Sequence, residues 1–118
     1  MAIKKFEDIL VWQRAQALAV EIYENFGSLR DYGFREQITR ASVSISNNIA
    51  EGFERSSNSD FVRFLYFASA SNSEVRSMLY LSVKLNFISK EKASDLIDKT
   101  NEISKVLFGF IKSISKKE

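Results

Sequence analysis

The chain has 118 residues, of which 45% are hydrophobic and 27% charged, with a formal net charge of +2 and neither cysteine nor histidine. A single domain over residues 1–118 is expected, long enough to bury roughly two thirds of its unfolded surface. The missing residue types exclude disulfides, thiolate and imidazole zinc sites, the Glu-x-x-His di-iron signature, and serine–histidine or cysteine–histidine nucleophiles.

The absence of proline and the presence of only four glycines predict long helices. The N-terminal MAIKKFEDILVWQ lacks the apolar run and cleavage site of a signal peptide, so a cytoplasmic location is expected. A first helix is predicted from Phe6 to Phe26. Trp12, Ala15, Ala19, Ile22 and Phe26 form its apolar stripe, widened by Val11 and Leu18. Gly27 is placed to end it as a left-handed cap.

A second helix is predicted from Phe34 to Phe53. Its stripe runs through Phe34, Ile38, Ala41, Ile45, Asn48 and Ile49, and Gly52 is expected to cap or break it. Arg40, Ser44, Asn47, Glu51 and Glu54 recur every three or four residues, as on a solvated face. Asn48 stands apart, because it interrupts apolar positions, where an amide must find hydrogen bonds or cost about 1–3 kcal/mol. Such a group fixes register or association state.

After Ser56-Ser57-Asn58-Ser59, with Ser57 and Asp60 as a capping pair, a third helix follows. It carries the heptad series Phe61, Leu65, Ala68, Asn72, Val75, Leu79 and Ser82, with a second stripe of Phe64, Ser71, Met78, Leu81 and Leu85. Asn72 sits among small serines, which predicts a tight helix crossing with internal hydrogen bonds. Glu74, beside it, needs a cation or donors if buried, and Arg40 is a candidate partner. Ser89 is a good N-cap for a fourth helix, whose heptad runs Ala93, Leu96, Thr100, Ile103, Leu107, Phe110 and Ile114. The Lys116-Lys117-Glu118 end is expected to fray.

These elements predict an all-α, antiparallel up-down-up-down four-helix bundle. Most of the ten phenylalanines and the tryptophan are expected in the core, but the wide apolar arc of the third helix, with Phe61, Phe64, Tyr66 and Phe67 on different sides, exceeds what a single small bundle buries, so a subunit interface is expected. The carboxylate pairs Glu51/Glu54 and Asp95/Asp98 share helix faces, but nothing in the sequence converges on them. No catalytic residue, metal site, cofactor, membrane contact or small-molecule substrate is expected, and the chain reads as non-enzymatic. Arg30, Arg35, Arg40, Arg55 and Arg63 form either ordinary surface charge or a track for a phosphate backbone.

Three stretches, FEDILVWQRAQALAVEIY (6–23), QITRASVSISNNIAEGFER (37–55) and FVRFLYFASASNSEV (61–75), resemble the four-helix-bundle proteins encoded within intervening sequences of bacterial 23S ribosomal RNA genes, also labelled S23 ribosomal proteins. The resemblance covers nearly the whole chain, and Asn47-Asn48-Ile49-Ala50-Glu51-Gly52 is its most specific part. Where that family usually has proline, this chain has Ser46. The resemblance implies a homopentameric ring without enzymatic activity. A related branch, the accessory proteins of diversity-generating retroelements, binds nucleic acid through basic surfaces. Arg40, Asn48, Glu51, Gly52 and Arg55 match the family motif, and Glu74 its acidic position. The expected function is therefore a non-enzymatic homo-oligomer that binds RNA or DNA through a basic surface. A protein-interaction scaffold is the alternative. Under either function, Arg40, Asn48, Glu51, Asn72 and Glu74 are expected to form a polar network at helix contacts and a subunit contact.

Overall fold

Asp31, Ser57 and Ser89 decide where three of the helices begin. Each side chain accepts a hydrogen bond from the backbone N–H three residues on, at 3.1 Å in every case. That satisfies one of the donors a helix start leaves without a partner. The computed structural model describes residues 3–116. It contains a 3-10 turn at Phe6–Asp8 and helices α1 (Leu10–Phe26), α2 (Tyr32–Phe53), α3 (Asn58–Lys84) and α4 (Lys90–Ser115). Lys117 and Glu118 lie outside the described residues. The fold is all-α, with no strand among the described residues.

Two helix starts and the roles of two glycines differ from the sequence expectation. The first helix starts at Leu10, because Phe6–Asp8 forms its own turn, with Phe6 edge-on to Trp12 at 5.4 Å between centroids. Asp31 caps α2 and brings its start forward to Tyr32. Gly27 is not left-handed, since its φ of −63° is right-handed helical. Gly52 does not break α2 either, because the helix runs on through Phe53.

The left-handed residue is Asn86, at φ 61°. Its N–H donates to the Val83 carbonyl at 3.0 Å, and the Phe87 N–H donates to the Ser82 carbonyl at 2.9 Å. This Schellman pattern closes α3 and turns Phe87 back against the core.

Neighbouring helices pack in chain order, α1 on α2, α2 on α3 and α3 on α4, and α4 closes back on α1. The core between them is formed by Leu18, Ile22, Ile45, Ile49, Leu65, Leu79, Ile103 and Leu107, all at most 1% exposed. Burying each such side chain contributes about 1.5–3 kcal/mol. The longest dimension is 46 Å, so α3, about 40 Å long at 1.5 Å per residue, runs most of the molecule. No helix of the described residues is long and apolar enough to cross a membrane.

Candidate functional site

The polar residues singled out in the sequence fall into three separate groups. The first joins α2 to α3. Asn48 Nδ2 donates to the carbonyl and to Oγ of Ser44, at 2.9 Å each. Ser71 Oγ, on α3, donates to the same Ser44 Oγ at 3.0 Å. Asn48 therefore sits at the rim of the apolar stripe, half-buried, and reaches α3 only through Ser44. Small hydroxyl side chains at 44 and 71 let the two helices approach closely enough for this link.

The second contact also joins α2 to α3, one to two turns further on. Gln37 Nε2 donates to Glu74 Oε2 at 3.3 Å. Arg40 does not pair with Glu74 as expected. It bonds Glu36 on its own helix at 2.7 Å, where both side chains are exposed. The i, i+4 spacing puts that carboxylate one helical turn away, while Glu74 must be reached across a groove. That groove, about 420 Å³, is lined by Gln37, Arg40, Ser44, Ser71 and Glu74. A second, of about 560 Å³, follows the outer side of α2 past Tyr23, Asn47, Asn48 and Glu51. Glu51 is exposed and forms no ion pair among the described residues.

The third group faces the opposite way. Asn72 is 1% exposed, and its Nδ2 donates to the Thr100 carbonyl of α4 at 2.9 Å. Its Oδ1 has no partner among the described residues. Asn72 thus marks the α3–α4 register and shares nothing with Asn48 or Glu74.

Gly52 serves the α2–α3 contact by having no side chain. A Cβ there would lie 2.6 Å from Phe64 Cβ and 3.0 Å from Phe61 Cδ1. The position is buried, so glycine is set by close approach and not by backbone conformation. Ser46, at the family's proline position, is helical and 1% exposed. It accepts from Gln16 Nε2 of α1 at 3.0 Å.

The five arginines do not form one cluster. Arg35 stacks over Tyr32 at 4.5 Å and reaches the Leu29 carbonyl at 3.5 Å, near the α1–α2 connection that also holds Arg30. Arg55 and Arg63 meet at the α2–α3 turn, with guanidinium carbons 4.6 and 5.2 Å from the Phe64 centroid. Arg35 and Arg55 are separated by the length of α2, about 30 Å. Sequence reasoning missed Ser44, Ser71 and Gln37 as the bonding partners. Their signal was the small or amide residue every third or fourth position.

These features define a class: an all-α four-helix bundle whose α2–α3 seam is closed by a glycine, serines and amides. The chain belongs to the 23S rRNA-intervening sequence protein family, whose family model matches residues 7–109. Among solved structures, it is similar to a protein of unknown function from the S23 ribosomal protein family of Bacteroides thetaiotaomicron VPI-5482. The two share 27% identity with a TM-score of 0.81, over 87% of this chain and 99% of that one. No curated protein matches the chain.

Proposed function

We propose that the protein is a non-enzymatic, cytoplasmic, antiparallel up-down-up-down bundle that assembles into a homo-oligomeric ring and binds RNA or DNA through basic surface. The order of contacts supports the antiparallel part. Gly52, Ser44 and Gln37 of α2 face Phe64, Ser71 and Glu74 of α3, so one number falls as the other rises.

One observation carries the self-association: large apolar side chains left outside the core. Val20, Tyr23, Phe67, Leu81 and Leu85 are each 44–58% exposed. Val20 and Tyr23 border a groove with Val43 on the α1 side of α2. Phe67 and Leu81 lie one heptad either side of Glu74, on the α3 side. A ring requires two different complementary faces on each copy, and the two sides of α2 supply them. A pentamer is the size the family resemblance implies.

The pairing of Arg55 with Arg63 beside Phe64 and Phe67 supports the nucleic-acid half, as does a family name that refers to 23S rRNA genes. Light scattering gives the mass, and anisotropy with a structured RNA at two salt concentrations gives the binding. A lone protomer removes the ring. Absence of binding at low salt removes the nucleic-acid half and leaves the scaffold reading, for which one stoichiometric protein partner is the expected finding.

A further inference from the structure

The outer face where α3 meets α4 interleaves positive charge with exposed rings. Two contacts fix this face. The Tyr66 and Phe108 rings lie 6.4 Å apart between centroids, and Arg76 Nη1 donates to Asn101 Oδ1 at 2.9 Å. Steps of three and four residues from Tyr66 reach Tyr80 and Lys84. The same steps from Asn101 and Phe108 reach Lys105 and Lys112. Tyr66, Tyr80 and Phe108 are 52%, 57% and 50% exposed. Asp98 and, one heptad before it, Glu91 are acids on the α4 side of this face. Arg76, Lys84, Lys105 and Lys112 outnumber these acids.

We propose that this α3–α4 face takes single-stranded nucleic acid. Arg76, Lys84, Lys105 and Lys112 meet phosphates, and Tyr66, Tyr80 and Phe108 stack unpaired bases. The proposal deepens the nucleic-acid half of the function above and rests on it. Exposed rings favour a single strand, because a duplex keeps its base faces inside its own stack. Tyr66 and Tyr80 stand fourteen residues apart on one helix, about 21 Å, or roughly six stacked nucleotides at 3.4 Å each. The residues between them on the same stripe are Ala70, Ser73 and Ser77. These leave the rings as separate platforms, whereas a surface for another protein is expected to fill that space with larger apolar groups.

The test uses the full chain and fluorescence anisotropy with a labelled 20-nucleotide uridine oligomer and an RNA duplex of the same length. Two variants are compared: Lys84→Ala/Lys105→Ala/Lys112→Ala, and Tyr66→Ala/Tyr80→Ala. All changed positions are exposed, and circular dichroism checks that both variants remain helical. The oligomer is expected to bind more tightly than the duplex. The lysine variant is expected to bind it at least tenfold more weakly at low salt, with a salt slope shallower by about 2, since each single-strand phosphate contact contributes about 0.7. The tyrosine variant is expected to lose about tenfold or more with the slope unchanged. If the wild type binds the oligomer and both variants bind equally well, this face is wrong while the nucleic-acid function stands. If the wild type does not bind at low salt, both fall. A change of oligomer mass in either variant makes the face a contact between copies and overturns the proposal.

Discussion

Two seams of the bundle are closed by opposite means. Between α2 and α3 the helices approach over Gly52, Ser44 and Ser71, with short side chains and a direct hydroxyl–hydroxyl hydrogen bond. Between α1 and α4 long charged side chains bridge the gap. Arg14 pairs with Glu102, and Glu21 takes both Lys92 and Lys99, which also approach Asp95. The first seam depends on shape, and at Gly52 it leaves no room for a Cβ. The second depends on charge in partly exposed positions, where solvent and salt screen it. A bundle built this way has one rigid seam and one that responds to its medium.

The largest effect is expected from Gly52→Ala. Alanine in a helix interior normally stabilises by about 0.5–1 kcal/mol. Here its Cβ would meet Phe64 Cβ at 2.6 Å, and overpacking of that kind costs about 1–3 kcal/mol. Urea unfolding is expected to show net destabilisation. Gly109→Ala is the counterpart: a Cβ there meets nothing within 4 Å, so stabilisation of about 0.5–1 kcal/mol is expected. Equal signs for the two substitutions would break the contrast.

Smaller effects belong to the charged seam. Glu21→Gln removes the partner of two lysines and is expected to cost about 0.5–1 kcal/mol at low salt and close to nothing near 1 M. A loss that persists at high salt would show that Glu21 acts by packing. Smallest is the pH response of Lys99. Its pKa is raised above the ordinary 10.5, chiefly by its hydrogen bond with Glu21, with Asp95 adding to the effect and desolvation opposing it. The folded protein thus holds this proton more tightly than the unfolded chain. The contribution is complete below pH 10.5 and is lost as pH rises through the raised value. Denaturation between neutral pH and that range is expected to show a small alkaline loss in the wild type, reduced in Glu21→Gln.

Much of the helical frame was legible in the sequence, and the α2–α3 seam only half. The heptads of α3 and α4 were, because apolar spacing reports the buried side directly, and Phe61, Leu65, Val75, Leu79, Leu96, Ile103 and Leu107 are all buried. The caps at Ser57 and Ser89 were also legible, since local chemistry determines them. Gly52 was misread because a glycine that frees the backbone and one that admits a neighbour look alike without the neighbour. Asn86 was overlooked because asparagine adopts φ above zero only where the following bonds reward it. Arg40 offered two carboxylate partners, and only the fold shows that Glu36 is the nearer. The basic α3–α4 face stayed hidden for another reason. A net charge averages over the chain, while a binding surface depends on which charges share a side.

One copy leaves apolar surface beside α2 exposed, at Val20, Tyr23, Phe67, Leu81 and Leu85. Sedimentation equilibrium of the full chain at high protein concentration tests this most directly. A mass several times 13.5 kDa is predicted, five times for the expected ring, whereas a homogeneous 13.5 kDa species would contradict it.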